Sequence, residues 1–246
     1  FRAVFGSSEE ALSLLEKAAE IKQPQLAIVS SRPEFLGLPW ELMNNGGETY
    51  LASQLAGVSR RLSPGPMVPF AGELPTDQLN VLLLLPPSGA GSGSIATEAL
   101  TALESLAASA ELDCLRPSSH EKLQEQLASR PGHYHLVHLD GFAIDSQGIS
   151  MEDGSGGATT VDASVLAGTL KDAQTPVVLI NASASSALND VMSFAAGLAE
   201  NGVPQVVITP LPIAGAGRVL FCENFFEGLS NGATVANTVA TIRNNI

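Results

Sequence analysis

The residues of this chain best placed to do chemistry sit where two apolar runs stop. The first run is His133-Tyr-His-Leu-Val-His-Leu-Asp-Gly-Phe-Ala143 and the second is Pro176-Val-Val-Leu-Ile-Asn-Ala-Ser-Ala-Ser-Ser186. Short apolar runs ending in small or polar residues are how parallel strands finish at the carboxyl edge of a sheet, where ligands bind. That edge would hold His138, Asp140, Gly141, Asn181 and Ser183. A serine attacks an acyl carbon only when a base takes its proton, because the hydroxyl does not ionise unaided. His138 is the one imidazole close enough in the pattern to consider as that base. Strand alternation places it opposite to His133 and His135, well before the turn, and a buried, hydrogen-bonded strand histidine is the expected role. His133 and His135 share a face and would supply two ligands to a metal. Zinc wants three or four, Asp140 and Asp145 are not on a matching spacing, and no metal is expected.

The Gly89-Ala-Gly-Ser-Gly-Ser94 turn lies after an apolar run and before a helical one, where phosphate loops occur, with Asp113 further on as a ribose-binding acid would be. The third glycine of a dinucleotide loop and the lysine of a nucleotide-triphosphate loop are both missing, and no Lys, Arg or His lies from Leu62 to Leu115. No cofactor is expected. Asp153-Gly-Ser-Gly-Gly157 only echoes a serine-protease motif, and no Gly-x-Ser-x-Gly elbow occurs.

The two runs resemble the catalytic segments of the CHAT family, caspase-like domains often found beside tetratricopeptide repeats. There the first strand ends in Gly-His-Gly and the second in Asn-Ala-Cys, and the His and Cys form a protease dyad. The corresponding residues here are Gly141-Phe142-Ala143 and Asn181-Ala182-Ser183. Further pieces are similar in order and spacing: Leu38-Pro-Trp-Glu-Leu-Met43, Val58–Leu62, Leu79–Pro86 followed by a helix carrying Glu98, Phe194–Ile208 with its Gly-Val-Pro turn, and Phe221–Arg243. The resemblance runs from about Leu26 onward. It implies a single domain over 1–246 with a caspase-like three-layer αβα sandwich and a largely parallel central sheet. It also implies that both dyad positions, Phe142 and Ser183, are substituted. Phe142 can neither accept nor donate a proton, so a catalytically inactive domain is expected, with Phe142 making the cleft edge more apolar. A peptidase using Ser183 with a non-standard base is the alternative.

Composition agrees with a folded chain whose partners are proteins. At 45% hydrophobic residues the 246-residue chain is no disordered tail. Its net charge of −13 argues against nucleic acid and against an anionic membrane surface, both of which need Lys and Arg. No apolar run approaches the length needed to cross a bilayer. Only 15% of residues are charged, a surface cheap to desolvate against a protein partner or another copy in a homo-oligomer or filament. Cys114 and Cys222 have no paired spacing and are expected to be buried thiols in a reducing, cytoplasmic setting. The start, Phe1-Arg-Ala-Val, reads as an internal piece of a longer chain.

Elements alternate throughout. Strands are expected at Gln25–Ser30, Gly57–Leu62, Asn80–Leu85, Leu112–Arg116, His133–Leu139, Pro176–Asn181 and Pro204–Thr209. Apolar stripes predict helices through Ile95 to Ala110, through Leu123 and Leu127 with a cap from Ser118, and through Val191 to Leu198. Two more run through Phe221 to Leu229 and Val235 to Ile246. Ser63–Asp77 and the glycine-rich Gly148–Thr160 are expected to be loops or flaps.

Overall fold

The computed structural model describes residues 8–22, 24–44, 50–63, 74, 78–86, 101, 110–116, 118–209, 213 and 215–245. The chain begins α1 (Glu9–Ala19), β1 (Gln25–Ser30), α2 (Pro33–Leu36), two short 3₁₀ turns at Trp40–Leu42 and Leu51–Gln54, and β2 (Gly57–Leu62). It continues with β3 (Leu79–Leu84), β4 (Ala110–Leu115), α3 (His120–Ser129), β5 (Leu136–Asp140), β6 (Ile144–Asp145), β7 (Gly148–Glu152) and β8 (Ala158–Val161). Last come α4 (Ala163–Asp172), β9 (Val177–Asn181), α5 (Leu188–Glu200), β10 (Gln205–Thr209), α6 (Ala216–Ser230) and α7 (Val235–Asn245). Contacts divide the chain into two compact units, Phe1–Ser63 with Ala233–Ile246, and Pro64–Gly232.

In the first unit β1 and β2 pair in parallel, Gln25 opposite Gly57. The Pro-Trp-Glu-Leu segment acts here as a clamp. Glu41 receives both arms of Arg60, at 2.7 and 2.6 Å, while Arg60 Nε donates to the Leu36 carbonyl at 2.6 Å. Arg243 of α7 lies 3.6 Å from the same carboxylate. Burial pushes the Glu41 carboxyl up, but the Arg60 hydrogen bonds and charge outweigh it and hold the group below its ordinary range. Gly57 lets α7 approach, since a Cβ there would lie 2.9 Å from Ala236 Cβ.

The second unit is built on a five-stranded, wholly parallel sheet in the order β10-β9-β5-β3-β4. Leu82, Val137 and Val178 align across it, as do Leu84, Leu139 and Ile180. These pack with Leu123 and Leu127 of α3, Leu166 and Leu170 of α4, and Val191, Phe194 and Leu198 of α5. The opposite face carries Val81, Leu83, Leu136, Val177 and Leu179, all fully buried, and α6 covers it with Phe226 edge-on to His138 at 6.0 Å. Both faces are thus covered, which is why the strands read as continuous apolar runs rather than alternating ones. This is the expected mixed α/β architecture, a parallel central sheet between helical layers.

Several expectations need correction. Gly148–Thr160 is no loose flap: β6, β7 and β8 form a small antiparallel sheet. Its β7–β8 turn is tied by Asp153, whose Oδ1 accepts from Ser155 N at 2.8 Å and Gly157 N at 2.9 Å. Gly148 has φ +151, and a Cβ there would overlap the Val161 carbonyl. The cap of α3 is Ser119, which accepts from Lys122 N at 3.2 Å, and Ser118 is instead buried between strands, accepting from Leu85 N at 3.1 Å. Ala110 opens β4 rather than closing a helix, and Ile95 to Leu106 apart from Thr101 lies outside the described residues, as do Gly89–Ser94 and nearly all of Ser63–Asp77. Cys222 is buried, but Cys114 is exposed, because β4 is an edge strand. Among the described residues no helix is long and apolar enough to cross a membrane.

Candidate functional site at the carboxyl ends of the parallel strands

β5 and β9 run side by side with Asp140 opposite Asn181, so the two singled-out turns are adjacent. Their pairing continues past the strand ends, as Gly141 N donates to the Asn181 carbonyl at 2.7 Å and Ser183 N to the Phe142 carbonyl at 2.8 Å. Ser186 Oγ accepts from Ile144 N at 2.8 Å, fixing the loop after β9 to the small sheet. Positions 142 and 183 are therefore held together by backbone.

Their side chains part company. Alternation from His138 and Asp140 would aim residue 142 toward the α6 face. Gly141, at φ +84, breaks that alternation. Phe142 enters the opposite core, with no exposed surface, in the cluster that holds Leu139, Ile144, Ile149 and Met151. The expectation that it makes the cleft edge apolar is overturned, since the ring never reaches the surface. Ser183 is half-buried, and its hydroxyl lies 3.0 Å from that of Ser185 and accepts from Ser185 N at 3.3 Å.

His138 is buried beneath the site and not beside the hydroxyl. Burial, with the nearby Arg218 charge, drives its pKa down to about 3. The Asp140 carboxylate lies near it, Nε2 to Oδ2 3.9 Å, beyond a direct hydrogen bond. Asp140 is fully buried, and burial pushes its carboxyl up to about 6 against the opposing pull of Arg218 and Asn181.

Asn181 organises the rest. Its Nδ2 donates to Asp140 Oδ1 at 2.8 Å and to the Ile213 carbonyl at 3.3 Å. Its Oδ1 accepts from Thr209 Oγ1 at 2.8 Å and Ile213 N at 3.2 Å. Arg218 Nε donates to the same Ile213 carbonyl at 2.8 Å and stands 3.7 Å from Asp140 Oδ1. The network ties residue 213, after β10, to the ends of β5 and β9. The hydrogen bonds made at Asn181 brace the strand ends, while among the described residues Asp140 Oδ2 has no hydrogen-bond partner. Thr209 and Arg218 were not foreseen. The only signal was a lone Arg ahead of the apolar Val219-Leu-Phe-Cys222 run.

The remaining candidates separate as well. β5 begins at Leu136, so His133 and His135 precede the strand. His135 Nδ1 accepts from Asn80 N at 3.0 Å, and burial lowers its pKa. His133 instead lies with Glu111 and Asp113 in a half-exposed group of metal-ligand types. A cation is already there: Arg130 contacts Asp113, lies 3.6 Å from Glu111, and has NH1 2.9 Å from His133 Nε2. Asp113 also accepts from the Tyr134 hydroxyl at 2.6 Å, which braces the sheet edge.

A search of curated proteins returns no match. The family model for the CHAT domain matches residues 8–246, including both paired turns and the Trp40-Glu41 clamp. With that span matched, on this parallel sheet and its helical layers, the chain is a member of the CHAT domain family, a caspase-like, peptidase-related fold.

Proposed function

We propose that this is a catalytically inactive CHAT domain, a pseudo-peptidase whose work is to bind protein, either a partner or another copy of itself. In this reading Phe142 and Ser183 occupy the family's two dyad positions. The observation that carries it is the surroundings of Ser183: among the described residues its hydroxyl pairs with another hydroxyl, and the imidazole of His138 is buried and held neutral, making no hydrogen bond to it. A serine with no base retains little nucleophilicity, and loss of triad members costs many orders of magnitude in turnover. Low charge density supports a surface that docks at small desolvation cost. The competing reading is a peptidase that uses Ser183 with a base of another kind.

Comparison of the wild-type domain with Ser183→Ala over a mixed peptide library tests it. Both proteins are expected to release the same trace of product, and the exchange should move stability by no more than about 0.5 kcal/mol. Product that disappears with the hydroxyl would make the domain an enzyme.

A further inference from the structure

The two edges of the five-stranded sheet are built differently. β4 carries Glu111 and Asp113 with Arg130 over them, the charged kind of edge that resists pairing with another strand. β10 is Gln205-Val-Val-Ile-Thr209, with no charge, no proline and no bulge in its parallel register with β9. Its first four residues are only half-buried, and among the described residues β9 alone pairs with it. The uncharged stretch extends from Asn201 to Gly217, in a chain whose net charge is −13. A net charge of this size makes two copies repel, and the strand itself brings no carboxylate to face another.

We infer that β10 is a self-pairing edge, joining two copies of this chain through antiparallel β10–β10 contact about a two-fold axis at Val207. The strand is self-complementary in that arrangement. Val207 faces its own copy, Val206 faces Ile208, and Gln205 faces Thr209, so β-branched residues sit opposite each other and the polar ends match. Val206 and Ile208 already pack on the core below, which anchors the strand in place. This deepens the self-association half of the proposed function and rests on it.

The test is the mass of the purified domain by light scattering across a concentration series. A dimer is expected for wild type. Val207→Glu, which opposes two carboxylates at the axis, should weaken dimerisation about tenfold or more. An equimolar mixture of Val207→Glu and Val207→Lys should restore it, which a misfolded variant cannot do. Gln205→Glu changes no shape and should weaken it less, in the same direction. If wild type and all variants dimerise alike, β10 is not the surface, although self-association stands. A wild type that stays monomeric throughout removes both the edge and self-association, leaving a docking domain for another protein.

Discussion

Phe142→Ala is expected to lower stability by about 3–5 kcal/mol, the usual loss when a fully buried phenylalanine is cut back and its site stays partly empty. For a unit of this size that is a fall of roughly 10 °C in the melting midpoint. The ring is wholly buried in the cluster formed with Leu139, Ile144, Ile149 and Met151, on the side of the sheet opposite Asp140. A residue lining a solvent-filled cleft would cost under about 1 kcal/mol. Urea unfolding of the variant beside wild type separates the two cases. The result bears on function, because a ring built into the core is a commitment of the fold: a proton carrier placed there would itself be buried without water.

The second large effect is a pH dependence hidden by cancellation. His138 titrates at about 3 when folded against 6.5 ordinarily, so between those values the unfolded chain holds a proton that the folded chain lacks. Folded stability contributed by this residue therefore drops as pH falls. Asp140 titrates at about 6 when folded against 3.8 ordinarily, so in that window the folded chain holds the extra proton. Its contribution is present below 3.8 and is lost as pH rises through 6. Each slope is about 1.4 kcal/mol per pH unit, and they oppose each other. Wild type thus shows little net dependence from this pair between roughly pH 4 and 6.

Single substitutions unmask each slope. His138→Gln should leave a difference from wild type that grows less favourable, by up to about 5 kcal/mol, with rising pH between 3 and 6.5, the mirror of the lost histidine contribution. Asp140→Asn should show the opposite sign, up to about 3 kcal/mol, between 3.8 and 6. Above about pH 6, where Asp140 is ionised, Asp140→Asn also strips Arg218 of a nearby negative charge, so the slope and not the level is the readout. Unfolding free energies measured across this range decide it. Profiles parallel to wild type in both variants would mean that the two groups are not buried as described.

What the sequence made legible follows from which forces act locally. β1 and β2 were placed to the residue, and the other strands of the main sheet within a few residues, because apolar runs bounded by Pro, Gly and Asn leave little choice. The small sheet was missed because its strands are short and its turn is made by Asp153 and glycines, the composition of a loop. α1 and α4 also went unread, although Ser8 and Asp162 cap them through hydrogen bonds to Ala11 N and Ser164 N. The adjacency of the 142 and 183 turns is what the resemblance to the family implies. The fate of the Phe142 ring was not legible, since it depends on one backbone angle at Gly141. Nor was the Asp140–Arg218 contact, which joins a strand end to a helix far along the chain.

The central claim is that Ser183 is an ordinary alcohol. A fluorophosphonate probe reads this without knowledge of any substrate, because it labels only hydroxyls activated by their surroundings. Incubated with the folded domain and analysed by peptide mass spectrometry, it should leave Ser183 no more modified than in the denatured chain. Stoichiometric labelling of Ser183 that vanishes on denaturation would contradict the account and establish a working nucleophile.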